Sequence, residues 1–146
     1  MAVQVDSMGE CIFCRIASGD SAAEKIYEDE SMIAIMDHVP INNGHALVIP
    51  KKHVENLTLM DDLLAGEMFK VGRKVGVALK KSEIGCKGIN FILSEGKEAG
   101  QEVFHAHLHV IPRHFGDGFG FIEAKHTKSS LEKLEATAAK IRAAMK

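Results

Sequence analysis

Three histidines at alternate positions are the residues in this chain whose spacing most directly indicates chemistry. His105, His107 and His109 lie in "FHAHLHVIPR", residues 104–113, where the residues between them are apolar. Side chains alternate between the two faces of a β-strand, so a strand would place the three imidazoles on one face. The segment is therefore predicted to have one chemical face and one packing face.

Three interpretations of this face remain open. The histidines could form a solvated strand surface, bind a catalytic zinc ion, or provide a nucleophile at the middle ring, His107. A strand rises ~3.3 Å per residue, so the first and third Cα atoms lie ~13 Å apart, which is awkward for three ligands of one ion. Nucleophilic attack requires a neighbour that fixes the tautomer, and the flanking histidines are close enough for that role.

A second candidate site begins at the pair Cys11 and Cys14. Their C-x-x-C spacing is that of a zinc half-site, which needs two more ligands for a tetrahedral site. A thioredoxin-like redox motif would require a preceding strand, and the chain begins only a few residues earlier. The other interpretation is two small buried residues without metal. Three cysteines are a small and odd number, which argues against a secreted disulfide framework.

The apolar patterns predict an α+β fold on an antiparallel sheet of about five strands, with a long central helix and a C-terminal helix. A capping box at Ser129 and Glu132 predicts where the last helix begins. Gly72 and Gly76 lie one turn apart on the central helix, where glycine is costly, and close approach of another backbone would explain them. The predicted helices are 10–18, 61–81 and 129–146, and the predicted strands are 24–30, 31–37, 45–51, 88–94 and 103–112.

Length and charge restrict the class of protein. The 146 residues suit one domain, expected over 10–146 after a flexible leader of residues 1–9. Eighteen basic and twenty acidic side chains give a net charge of −2 without a basic tract, which argues against nucleic acid as a partner. The chain has neither a signal-peptide pattern nor a stretch of ~20 apolar residues, so we expect a cytoplasmic protein that does not enter a membrane.

The motifs together resemble the histidine triad (HIT) family of nucleotide hydrolases and transferases. The resemblance extends from "CIFCRIASGD" through "GHALVIPKKH" and "AGQEVFHAHLHVIPR" to "GDGFG". The pairing of "CIFC" with "IPRHFGDGFG" is similar to the prokaryotic-type branch. The resemblance implies the HIT-like fold and a homodimer. It also implies hydrolysis at the α-phosphorus of a nucleoside phosphoramidate, with purine nucleotides such as AMP or GMP conjugates as substrates.

The same resemblance assigns roles to individual residues. His107 is similar to the family's nucleophile, which forms a covalent nucleotidyl-histidine intermediate, and His109, His105 and His45 complete the catalytic set. His53 and His105 would join Cys11 and Cys14 as ligands of one structural zinc per chain. No cofactor would be needed for the chemistry itself. The residues expected to bind the nucleotide are Phe13, Ile16, Ile35, Met36, Asp37, Ser94, Gln101 and Val103, with Asp37 at the ribose hydroxyls and Gln101 in the phosphate-facing loop.

Two positions depart from the family's usual pattern. Ser94 stands where asparagine is usual, and Glu102 stands where serine or threonine commonly follows the glutamine. A carboxylate that faced the substrate's phosphate would oppose the reaction through like-charge repulsion. Two further functions therefore remain open, a dinucleoside polyphosphate hydrolase and a nucleotide-binding or interaction module with little turnover. For the dimer, we expect Gly72 and Gly76 to open a groove on the central helix for a second chain. The alternative is that both glycines let the helix lie close to its own sheet.

Overall fold

A computed structural model describes residues 10–121 and 128–145 of the chain. The leader predicted for residues 1–9 lies outside the described residues. Within these residues, three α-helices and five β-strands form in the order α1 (Ile12–Ser18), β1 (Lys25–Glu28), β2 (Met32–Met36), β3 (Ala46–Pro50), α2 (Asp62–Lys81), β4 (Gly88–Ile92), β5 (Leu108–Arg113) and α3 (Leu131–Ala144), with short 3-10 turns at Leu57–Leu59 and Lys97–Ala99.

The five strands form one antiparallel sheet with the order β1-β2-β3-β5-β4. The first three strands are a meander, and β4 returns antiparallel beside β5. This confirms the predicted α+β fold with five strands, a long central helix and a C-terminal helix. The centre of the sheet is the β3–β5 pair, in which Leu47 lies opposite His109 and Val48 opposite Leu108.

The alternation of side chains along the central strands gives the sheet two different faces. On one face, Ala34, Val48 and Leu108 pack against α2 in a core of buried residues. On the other face, Ile35 and Leu47 pack against the α1 residues Phe13 and Ile16. Since His109 lies beside Leu47, the histidines belong to the α1 face.

Gly72 and Gly76 bring α2 close to its own sheet, which corrects the expectation of a groove for a second chain. A Cβ atom at Gly72 would lie 2.6 Å from Leu108 Cδ2, and one at Gly76 would lie 2.8 Å from Phe91 Cζ. Both glycines are buried. The missing side chains therefore allow helix-to-sheet contact within one chain, and they carry no argument for dimerisation.

Most predicted boundaries lie within two residues of the observed ones, and two of the differences have a visible physical cause. The strand predicted over 103–112 begins only at Leu108, because continued pairing would set Ala106 opposite Pro50, which has no N–H to donate. The Ala106 N–H donates instead to the carbonyl of Val54 at 2.8 Å. The last helix is capped by Ser130, which accepts from the N–H of Lys133, and not by Ser129.

Candidate functional site

The three histidines lie inside the protein, although only His109 belongs to β5. His105 is fully buried, His107 is 8% exposed and His109 is half-buried. The residues between them point towards α2, so the alternation predicted for a strand persists in the irregular segment before Leu108. Burial of this kind excludes a solvated strand face.

A backbone hydrogen bond fixes the tautomer of His107. Its Nδ1–H donates to the carbonyl oxygen of His105 at 2.8 Å, since a carbonyl can only accept. The lone pair of the neutral ring is then on Nε2. The sequence predicts that neighbouring imidazoles orient this ring, but in the structure the orienting group is the peptide carbonyl of His105. The rings of Phe13 and His109 pack beside it, each with its centroid 5.0 Å from that of His107.

His45 and His109 form a second hydrogen-bonded pair with a defined direction. The N–H of Ile41 donates to His45 Nδ1 at 3.1 Å, so the proton of the neutral ring is on Nε2. This Nε2–H donates to His109 Nδ1 at 2.9 Å, with a carboxylate oxygen of Asp37 3.4 Å from the same His45 nitrogen. His109 therefore carries its proton on Nε2, where it can donate to a bound phosphate.

Burial lowers the pKa of these rings because the charged imidazolium loses its hydration. The pKa of His109 falls to about 4 through burial and then through the neighbouring His107 and His45. Burial also lowers the pKa of His45 and His107, against the opposing charge of Asp37. Near pH 7 the rings are therefore neutral, as a nucleophile and a neutral hydrogen-bond donor require.

A separate cluster on the same face could hold a metal. The ligand atoms of Cys11, Cys14, His53 and His105 lie within 4.8 Å of one another. His105 Nε2–H donates to the carbonyl of Pro50 at 2.7 Å, which leaves Nδ1 free for an ion, 3.1 Å from His53 Nδ1. Such an outer hydrogen bond is typical of metal-binding histidine. Two thiolates and two imidazoles fit tetrahedral zinc and leave no open position for catalysis.

Asp37, His45 and His109 also bring three ligand atoms together, but their hydrogen bonds do not suit a metal. A metal at His45 Nε2 would displace its proton to Nδ1, where it would meet the N–H of Ile41. Two donors would then face each other in a buried position, at a cost of about 1–3 kcal/mol. This cluster is better described as a hydrogen-bond relay.

The apolar residues expected at the base form one cluster beside the histidines. Phe13, Ile16, Ile35 and Val103 are buried together with residues of β2 and β3. Met36 is half-buried at the end of β2 and is not among the buried residues of that cluster. Asp37 follows β2, and one of its oxygens accepts from the N–H of Val39 at 2.9 Å.

Gln101 is used to shape the loop that precedes the histidines. Its Oε1 accepts from the N–H of Gly96 at 2.8 Å, and its Nε2 donates to the carbonyls of Glu55 and Val103 at 2.7 and 3.2 Å. Both amide hydrogens therefore have backbone acceptors, and the side chain supports the loop from within. Ser94, at the start of the loop, is half-buried.

Two further contacts that hold the site together were not predicted from the sequence. Glu95 receives hydrogen bonds from the N–H and the hydroxyl of Thr58, which joins the loop to the segment after β3. Asp117 binds Arg113 through two hydrogen bonds of 2.7 Å and also accepts from Asn42. The "GDGFG" motif contained a signal for Asp117, whereas the surface-type residues Glu95 and Thr58 carried none.

Comparisons with known proteins agree with the geometry. The model of the HIT domain family matches residues 18–116. An uncharacterized HIT-like protein of Borreliella burgdorferi is 43% identical over 129 residues, which cover 88% of this chain and 93% of the relative. No helix within residues 10–121 and 128–145 combines the length and apolarity that a membrane crossing requires.

Solved structures share the fold. A Zn-bound histidine triad family protein of Mycobacterium smegmatis has a TM-score of 0.73 and 40% identity, covering 95% of this chain and 99% of that one. A histidine triad nucleotide-binding protein of Candida albicans has a TM-score of 0.83 and 27% identity, covering 93% and 97%. From its motifs, its fold and these matches, the chain belongs to the HIT domain family.

Proposed function

We propose that this protein is a nucleotide hydrolase that acts at the α-phosphorus of a nucleoside phosphoramidate through a covalent intermediate on His107. One observation carries the proposal: the Nδ1–H of His107 is held by the carbonyl of His105, which leaves the Nε2 lone pair of a neutral, buried ring available for attack. HIT proteins are generally nucleotide hydrolases or transferases, which is consistent with this chemistry.

The reaction would proceed in two displacements. His107 Nε2 attacks the α-phosphorus, a phosphorus–nitrogen bond to the enzyme forms, and the bond to the leaving amine breaks as the amine takes a proton from solvent. Water then attacks the same phosphorus and gives up one proton to solvent. The bond to His107 breaks, which releases the nucleoside monophosphate and the free neutral ring. The Nε2–H of His109, directed by His45, would stabilise negative charge on the phosphoryl oxygens in both steps.

The nucleotide would lie along the α1 face of the sheet. Asp37, at the end of β2, would accept hydrogen bonds from the ribose hydroxyls, and the apolar residues around Phe13 would contact the base, with AMP or GMP conjugates as candidate substrates. Gln101 would act through the loop backbone, because both of its amide hydrogens are already bonded.

A structural zinc at Cys11, Cys14, His53 and His105 accompanies this proposal. The donor set suits zinc, and a solved relative is described as Zn-bound. The ion would join the N-terminal end of α1 to His105, whose carbonyl orients His107. Its role would be structural, since four protein ligands leave no position for substrate.

The negative charge of Glu102 is the reason to consider a function with little turnover. Its carboxylate is exposed and acts electrostatically on His107, where it opposes the lowering of the pKa. Negative charge beside the site would slow attack on an anionic phosphate unless the leaving group is cationic. A nucleotide-binding module with little turnover is therefore one alternative. A dinucleoside polyphosphate hydrolase is the other, and it rests on the resemblance to nucleotide hydrolases.

Turnover of adenosine phosphoramidate and of diadenosine polyphosphates, measured side by side, distinguishes these functions. The proposal expects faster release of AMP from the phosphoramidate, and His107→Ala should abolish it while AMP binding persists. His38→Asn is a matched control, because that side chain is 79% exposed and lies beside Asp37. Preference for the polyphosphate, or binding without turnover of either substrate, would refute the proposal in favour of the corresponding alternative.

We also propose that the protein is a cytoplasmic homodimer. The dimer is supported by the resemblance to the histidine triad family. The glycines of α2 do not support it, because they face the sheet of their own chain. Light scattering tests the state directly, because a particle of 15.9 kDa at micromolar concentration would contradict the dimer.

A further inference from the structure

Helix α3 carries an apolar line that the fold and the site leave unexplained. It lies outside residues 18–116, which the family model matches. None of its residues is buried, and the large apolar side chains on this line are 53–85% exposed. The line consists of Leu131, Leu134, Ala138, Ile141 and Met145.

The spacing of this line is that of a coiled coil. The five residues recur at intervals of three, four, three and four, which is a strict seven-residue repeat with apolar residues at its first and fourth positions. A helix that packs on a sheet or a broad core usually shows a wider apolar stripe. This narrow seam fits one other helix of similar length, and we call it the α3 seam.

Charged residues beside the seam indicate the direction of that partner. Glu135 and Arg142 occupy the same flanking position in successive repeats, each directly after a fourth-position residue, Leu134 or Ile141. In an antiparallel pair that sets Leu134 opposite Met145, Glu135 of each helix lies close to Arg142 of the other. The axial offset between the two is about 3 Å. Two opposite-charge pairs then flank the seam symmetrically.

A parallel pair of the same helices lacks this match. It would set Glu135 near Ser130 and Arg142 near Thr137, with no ion pair, and would stack the small Ala138 on its own copy. The antiparallel register instead places Ala138 opposite the larger Ile141. Neither Glu135 nor Arg142 forms a salt bridge with another residue in the described part of the chain.

We propose that the α3 seam is an interface for a second copy of this chain, in which two α3 helices pair antiparallel. The same patch serves both copies, as a two-fold interface requires. Two repeats alone make a weak contact, so the pairing is expected to add to association elsewhere on the molecule. It does not depend on the proposed hydrolase activity.

Cysteine cross-linking tests both the pairing and its direction. We expect that mixing Glu135→Cys protein with Arg142→Cys protein under mild oxidation gives a disulfide-linked heterodimer, identified by intact-protein mass spectrometry. Either variant alone should give much less cross-link. Both positions are exposed, so neither change should prevent folding.

Control variants lie on the opposite side of the same helix. Lys133→Cys mixed with Lys140→Cys should not cross-link above the level of the unmodified chain, which reports on the native cysteines. Equal cross-linking in the control mixture would show random collision and overturn the proposal. A mixture of Glu135→Cys and Arg142→Cys that gives no heterodimer would overturn it as well.

Discussion

Backbone carbonyl groups decide which nitrogen is free on two neighbouring histidines. The carbonyl of Pro50 accepts from His105 Nε2–H, which directs Nδ1 to the cysteines, and the carbonyl of His105 accepts from His107 Nδ1–H, which frees Nε2. Adjacent members of one motif therefore expose opposite nitrogens. This difference is the physical reason that one ring suits a metal and the other suits nucleophilic attack.

The metal site gives a prediction at this scale. Cys14→Ala should lower the zinc content from about one ion per chain and reduce thermal stability, because the energy of metal binding contributes to folding. Elemental analysis and thermal unfolding provide the measurements. Cys86→Ala is the matched control. Cys86 is buried among the residues that pack against α2, and it is not one of the four residues of the metal cluster. Equal zinc content in the wild-type and Cys14→Ala proteins would contradict this assignment.

The sequence identified the site residues better than it identified their partners. Spacing and resemblance named His45, His107 and His109, which the structure brings together. The carbonyl of His105 could not be predicted as the orienting group, because the sequence does not show where a backbone leaves the strand conformation. The late start of β5 depends on the absent N–H of Pro50, which only the register of two distant segments reveals.

At the scale of elements, the contact of α2 with the sheet depends on two missing side chains. Periodicity predicts the helix over residues 61–81, and the structure has it at Asp62–Lys81, with Asp61 as the N-cap. It could not tell which neighbour Gly72 and Gly76 approach, because the same spacing suits a second chain or the protein's own sheet. The nearest atoms, on Leu108 and Phe91, settle the choice for the sheet.

Alanine substitutions along α2 test this packing. Gly72→Ala should destabilise the protein by about 1–3 kcal/mol, because its Cβ would overlap the buried Leu108 side chain. Gly66→Ala, in the same helix, has no atom within 4 Å of its added Cβ and should stabilise by about 0.5–1 kcal/mol. Urea unfolding measures both. Equal free energies of unfolding for the two variants would refute the close approach.

At the scale of the whole molecule, neutral buried histidines link stability to pH. The pKa of His109 is lowered from 6.5 to about 4, so between these values the unfolded chain binds more protons than the folded chain. The stabilisation that this neutral ring contributes should therefore be fully present above pH 6.5. The free energy of unfolding should fall as the pH decreases from 6.5 towards 4.

Urea unfolding at pH 7 and pH 5 measures this dependence. His109→Asn should show a smaller loss of stability between these pH values than the wild type does. His38→Asn, at a side chain that is 79% exposed, should retain the wild-type loss. A loss of the same size in both variants would show that the buried ring of His109 does not contribute.

The proposed mechanism requires that His107 carries the nucleotide during the reaction. Intact-protein and peptide mass spectrometry after rapid acid-free quenching of protein mixed with adenosine phosphoramidate tests it most directly. We predict an adenylyl adduct on His107 that forms before AMP is released and is absent from His107→Ala. Turnover without any transient adduct, or an adduct that persists in His107→Ala, would contradict the mechanism.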